Sequence, residues 1–276
     1  MRNSSNVVTL KDRQQNCESC RFYRDCLVKT DSSGRRPGSQ ATVVSGCVVR
    51  RGAHIFRMGD SFDALYMVRS GAVKTYWLAS NGDQQVTGFY LPGEIFGLDS
   101  ISTENYVSSA VALDTSGICT LLYAPLRRLC QSSAETMARL MGRLSGRIRE
   151  SEEAFIVLGH KSADERMAWF LMDISRRQST LGLSPSEISL PMTRTDIGSY
   201  LMLAVETVSR VLTRLQSNGI IQVRRNQVRI KSLDKLARLA ESSANTAPAG
   251  VHAPRRAAPY WGDCRDLTGH LRPTTH

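Results

Sequence analysis

The stretch TRTDIGSYLMLAVETVSRVLTRLQSNG, residues 193–219, carries the pattern from which the rest of the chain can be read. Thr193 to Leu201 reads as one short helix, Met202-Leu203-Ala204 as a turn, and Val205 to Asn218 as a second helix closed by Gly219 at its C′ position. Ile197, Leu201, Val208, Val211, Leu212 and Leu215 form a shared apolar face, and Glu206, Ser209, Arg210 and Arg214 fall on the other side. Two helices joined this way form a helix-turn-helix, whose second helix enters the major groove of DNA. Arg210 can donate two parallel hydrogen bonds to guanine O6 and N7, Glu206 can accept from the cytosine N4 amine, and Ser209 can reach a third base edge. Arg214 and the basic hairpin Val223–Lys231 resemble a wing and suit phosphates, which fix register without reading sequence. A solvated helix pair braced by Glu206 and Arg210 at i,i+4 is the plainer reading. The complete helix-turn-helix-wing string favours DNA over it.

Charge agrees. Lys and Arg total 36 against 25 acidic residues, a net +11. Residues 161–240 hold thirteen basic and seven acidic residues, so an excess of six lies beside the reading helix. A polyanion partner is the functional reading of such a surface. No apolar run reaches the ~18 residues that span a bilayer, and Met1 to Asn16 lacks the apolar centre of a signal peptide. These features predict a cytoplasmic protein without a membrane partner, in which seven cysteines serve as ligands or sensors rather than disulfides.

Upstream of this domain, Met137, Met141, Leu144, Ile148, Ser151, Phe155 and Leu158 succeed one another at alternating steps of four and three. That is a heptad seam, the pattern of a helix pairing with its own copy, and it predicts a homodimer through residues 131–160. Ser151 is the one polar seam position and lies among Glu150, Glu152 and Glu153, so the pairing should be marginal. From about 41 to 130 short β-type runs alternate with glycine turns, which predicts a sandwich or roll. Within it, Leu65–Leu78 reads as a hairpin turning at Ser70-Gly71. Residues 1–40 form a cysteine-rich segment and linker, 161–240 read as helices ending in a β-pair, and 241–276 read as a disordered tail.

Cys17-Glu-Ser-Cys20-Arg-Phe-Tyr-Arg-Asp-Cys26 places three thiolates within ten residues, enough to wrap one side of a metal centre. Cys47, Cys119 and Cys130 are candidates for a fourth ligand. Arg21, Arg24 and Lys29 would offset the charge of an iron–sulfur cluster, and Phe22, Tyr23 and Leu27 would shield it from water. By spacing alone, four-thiolate zinc or a thiol-redox site remains open beside iron–sulfur. An electron carrier or redox enzyme is disfavoured, because there is no G-x-G-x-x-G loop and no second cluster motif, and the five histidines are scattered.

Across residues 17–240 the chain resembles the oxygen-responsive FNR (fumarate and nitrate reduction) regulators of the Crp/Fnr superfamily. The matching strings are the Cys17-x2-Cys20-x5-Cys26 spacing with Cys119 in Asp114–Cys119, Leu91-Pro-Gly-Glu-Ile-Phe-Gly-Leu-Asp-Ser100, Thr193–Gly198, and Glu206-x2-Ser209-Arg210. The resemblance implies an α+β fold: an N-terminal cyclic-nucleotide-binding-like β-roll, a long dimerisation helix and a C-terminal winged helix-turn-helix. It implies an oxygen-labile [4Fe–4S] cluster on Cys17, Cys20, Cys26 and Cys119, with Cys47 and Cys130 as ordinary half-buried cysteines. It also implies a TTGAT-like inverted-repeat operator controlling anaerobic gene expression. The exposed β-hairpin Ala79–Gln84 is by the same resemblance a contact to RNA polymerase. No cyclic nucleotide is expected, because Tyr106–Ala110 carries serine where nucleotide-binding relatives place an arginine on the phosphate. Ser151 departs from the acidic residue common in relatives.

Overall fold

The glycine-punctuated region folds into two facing antiparallel sheets. The computed structural model describes residues 7–8, 20–22, 26–28 and 43–241. Cys17, Tyr23, Arg24, Lys29, the linker 31–40 and the tail beyond 241 lie outside the described residues. In chain order the roll contains β1 (Val7–Val8), β2 (Val43–Val49), β3 (His54–Phe56), β4 (Ala64–Ser70), β5 (Val73–Leu78), β6 (Gln84–Tyr90), β7 (Ile95–Phe96), β8 (Ser109–Ala112) and β9 (Ser116–Leu122). One sheet runs β1-β2-β9-β4-β7 and the other β3-β8-β5-β6.

The predicted Leu65–Leu78 hairpin is not one. β4 pairs with β7 and β9, whereas β5 pairs with β6 and β8, so Ser70-Gly71 carries the chain from one sheet to the other. The true hairpin is β5–β6, closed by Ala79–Asp83, where the Ala79 amide donates to the Asp83 carbonyl at 2.9 Å. The alternation looked alike in both cases because β4 is covered on both faces. Val68 packs with Phe56, Phe96 and Ile118 between the sheets, while Leu65 and Met67 pack outward. The register sets Leu121 opposite Leu65 and Cys119 opposite Met67, which places Cys119 on that outward face.

Helices close the outward face. α1 (Tyr123–Ser132) ends at Ser133, whose side chain caps the next helix by accepting from the Thr136 amide. That helix, α2 (Ala134–His160), buries Thr136, Leu140 and Val157 against its own chain. Of the predicted seam, Leu144 and Leu158 are half-buried in the same way, whereas Met137, Met141, Ile148, Ser151 and Phe155 are exposed. Phe155, at 80% exposure, and Ile148, at 61%, are left without cover on a chain whose other large apolar residues are mostly inside.

The C-terminal region comprises α3 (Ala163–Thr180), β10 (Glu187–Ser189), α4 (Arg194–Leu201), α5 (Val205–Ser217), β11 (Ile221–Arg224), β12 (Gln227–Ile230) and α6 (Leu233–Glu241). Sequence reading expected a β-pair at the end; the sheet has a third strand, β10, paired to β12, and α6 follows it. Met167, Phe170, Leu171 and Ile174 recur at helical spacing on α3 and are all but inaccessible to solvent. They share one apolar core with Val208, Val211 and Leu215 of α5 and with Ala72, Tyr76, Val86 and Phe89 of the roll. The sequence boundary near 160 is therefore not a boundary in packing.

Candidate nucleic-acid interface and candidate metal centre

The reading helix is set by its neighbour. Thr193 caps α4, accepting from the Asp196 amide at 3.1 Å, while Asp196 Oδ2 accepts from the Thr193 amide at 2.9 Å and from its hydroxyl at 2.7 Å. The chain leaves α4 through Met202 in the left-handed conformation, φ 53° and ψ 48°. There the Leu203 amide donates to the Gly198 carbonyl at 2.8 Å. A Cβ at Gly198 would come within 2.6 Å of the Leu203 oxygen, so only glycine lets the turn close this tightly. α5 then buries Val208, Val211, Leu212 and Leu215 and turns Glu206 and Arg210 to solvent.

Arg210 donates to Thr207 Oγ1 at 3.2 Å rather than pairing with Glu206. Ser209 is half-buried and accepts from Arg194 at 3.1 Å, which holds a second guanidinium beside the reading face. Arg214 is engaged elsewhere: its Nε and Nη2 both donate to Asp164 Oδ1, at 3.1 and 2.6 Å. It ties α5 to α3 as well as adding positive charge. On the wing, Arg224 and Arg225 are exposed at the turn, and Arg229 meets Glu187 at 3.4 Å.

The roll holds this domain through contacts that no local pattern announced. Lys74 of β5 reaches Asp196 Oδ1 at 2.5 Å. Burial works against the Asp196 charge, but the hydrogen bonds from Lys74 and Thr193 outweigh it and hold the carboxyl below its ordinary range. Ser199 of α4 donates to the Gln84 carbonyl at 2.9 Å and accepts from the Val86 amide at 2.8 Å, and Gln85 donates to the Ser199 carbonyl. Arg177 of α3 reaches Glu94 at 2.5 Å and the Phe89 carbonyl at 2.6 Å.

The predicted cysteine ligands are brought part of the way together. Cys119 is buried on the outward face of the roll, in one apolar cluster with Phe22, Leu27 and Leu140. Cys20 packs half-buried against that cluster, and Cys26 is buried next to Leu27 in sequence. Arg139 of α2 donates to the Leu27 carbonyl at 3.2 Å, joining this segment to the long helix. Cys17 lies outside the described residues. Among the described residues no three His, Cys, Asp or Glu side chains gather closely enough to hold a single ion. A cluster does not demand that: a lone zinc draws its sulfurs to about 2.3 Å from one centre, whereas a cubane binds each thiolate through a different iron. Soft thiolates in an apolar surround are the donor set such a cluster takes. Cys130 is buried rather than half-buried as expected, and Cys47 is half-buried; burial pushes both thiols up, away from the thiolate form.

At the stretch read as lacking a phosphate-binding arginine, Ser108 donates to Asp99 Oδ2 at 2.9 Å and Ser109 accepts from the Met58 amide at 2.9 Å. Phe56 and Tyr106 stack at 3.9 Å between ring centres within the roll.

The model of the Crp-like helix-turn-helix domain matches residues 165–239, and that of the cyclic nucleotide-binding domain matches residues 47–133. The transcriptional activator protein FnrA of Stutzerimonas stutzeri is 37% identical over 227 residues, covering 82% of this chain and 93% of its own. The chain belongs to the Crp/Fnr family. Another Crp/Fnr relative, the fumarate and nitrate reduction regulatory protein of Escherichia coli K12, is 35% identical over 231 residues, 84% of this chain and 92% of its own. Among solved Crp/Fnr folds, FixK2 from Bradyrhizobium japonicum matches with a TM-score of 0.66 at 31% identity, covering 71% of this chain and 96% of that one. The roll and the winged domain are thus the two halves of a Crp/Fnr DNA-binding transcription regulator, not of an enzyme. No described helix is long and apolar enough to cross a membrane.

Proposed function

We propose that this regulator senses oxygen in the cytoplasm, holding a [4Fe–4S] cluster on Cys17, Cys20, Cys26 and Cys119. In this reading it grips a TTGAT-like inverted repeat as a homodimer while that cluster is intact. The observation that carries the reading is the shared apolar cluster of Cys20, Phe22, Leu27 and Cys119 beneath Leu140 of α2, with Arg139 bonded to the Leu27 carbonyl. When bound, the group supplies an oxygen-labile cross-link between the 17–26 segment and β9. The protein's own part is to convert that link into pairing. Leu27 and Arg139 fix the inner side of α2, and Met137, Met141, Ile148 and Phe155 are left to meet a second copy. Two Arg210-bearing helices then face successive major grooves, one DNA turn apart. The Ala79–Gln84 hairpin would be the contact to RNA polymerase. The aromatic filling of the roll, and the Asp99 carboxylate at Ser108, favour a scaffold with no cyclic nucleotide.

Band shifts on a TTGAT palindrome, with and without air, test the whole. Anoxic protein, brown with about four irons per chain, should bind tightly and lose that binding after exposure. Colourless protein holding one zinc would end the iron reading.

The acidic patch around Ser151 is partly neutralised within the chain. Glu150 pairs with Arg147 at 2.7 Å, whereas Glu153, which accepts from the neutral Trp169 indole at 2.7 Å, and exposed Glu152 keep their charge. Ser151→Leu should therefore pair in air. Burying one leucine per copy contributes about 2 kcal/mol, enough for more than tenfold tighter association in sedimentation velocity. An unchanged aerobic monomer would place the interface elsewhere.

A further inference from the structure

The cysteine segment touches a third partner besides β9 and α2. Arg21, next to Cys20, donates from Nη2 to the Leu181 carbonyl at 2.8 Å, across 160 residues of sequence. Leu181 is the C-cap of α3, where the last helix carbonyls lack intrahelical donors and the dipole favours a cation. Its side chain packs against the cluster that contains Phe22 and Cys119. The Phe22 ring lies on Gly93, where a Cβ would come within 2.9 Å of it and φ is +91°. The next residue, Glu94, receives Arg177 one turn earlier on α3. Arg21 and Phe22 thus converge on the last turn of one helix by two routes.

The last two turns of α3 support the wing. Gln178 donates to the Ser189 carbonyl at 2.9 Å and Ser175 donates to the Pro185 carbonyl at 2.5 Å, which fixes the segment entering β10, the strand paired to wing strand β12. We propose that Arg21 and Phe22 latch the DNA-binding domain of their own protomer, so that the state of the site at Cys20 sets the pose of the wing and reading helix independently of pairing between copies. This rests on the cluster reading above, and it adds a second output to it. Arg21 is a positioning residue: it needs no contact with DNA.

Arg21→Met keeps an unbranched stem and removes every donor. The full-length variant and parent, both anoxic, are compared for iron content, sedimentation, operator affinity and amide exchange in residues 178–189. Because Arg21 also offsets cluster charge, the two are compared at matched iron content; the expected result is an equal dimer fraction with affinity about five- to tenfold weaker, the lower range of an allosteric coupling. Exchange should quicken at Gly182 and Leu183, and air exposure of the parent should quicken the same amides. Arg21→Lys, which keeps a donor, should recover part of the affinity. Unchanged affinity and exchange would overturn the latch, as would an affinity loss that only follows lost iron or lost dimer. A parent without iron would overturn the cluster reading alone, because the exchange difference between parent and Arg21→Met would still decide the latch.

Discussion

Cys119→Ser, prepared without air, should come off the column colourless and bind the operator at least about a hundredfold more weakly, toward the level of non-specific binding. The size follows from what Cys119 joins. It lies on β9 opposite Met67, within the cluster that also holds Phe22, Leu27 and Leu140. Serine fits that space but offers a hard, neutral hydroxyl in place of a soft thiolate, so the bond between β9 and the 17–26 segment is lost while the strand is kept. Without that bond Leu27 is held beneath Arg139 only by apolar packing and single hydrogen bonds, and the pairing of two copies weakens. Losing one copy removes about half of both phosphate and base contacts, and affinity falls steeply with each. The check is iron and sulfide content beside a titration on the palindrome. Full iron content in the variant would mean that another group supplies the fourth ligand.

Arg210→Ala should leave the protein folded, iron-loaded and dimeric, yet cost about 1–3 kcal/mol at each half-site. Over two half-sites that is a loss of roughly thirtyfold to ten-thousandfold. Arg210 is exposed on α5, and its hydrogen bond to Thr207 can be exchanged for a base edge at little cost. The decisive measurement is discrimination: the parent should reject an operator whose contacted guanine is replaced, and the variant should not. Discrimination that survives the substitution would assign base reading to other side chains, with Glu206 and the Ser209–Arg194 pair next in line.

The reading domain was legible because its signals are local. The apolar spacing of the two helices, the turn at 202–204 and Gly219 all act within a few residues of one another, and the structure places the helices at Arg194–Leu201 and Val205–Ser217. Strand pairing was not. Ser70-Gly71 satisfied a local turn rule, but the partners of β4 are β7 and β9, and no short-range pattern names them. The same limit hid Lys74 on Asp196 and Arg21 on Leu181, separated by 122 and 160 residues. The cysteines stand between these cases. Their spacing was plain, but that Cys119 shares a face with Leu121 needed the phase of β9, and Arg214, read as a phosphate contact, also holds Asp164.

The core that runs from Val86 and Phe89 into Phe170 and Val211 limits how this protein can be taken apart. A fragment cut at residue 161 would carry naked aromatic and aliphatic surface and should aggregate, and grafting the wing onto a foreign sensor would need the β5–β6 surface to travel with it. Evolution faces the same restriction: a new input can be added at the amino end of such a molecule more readily than a new output at the other.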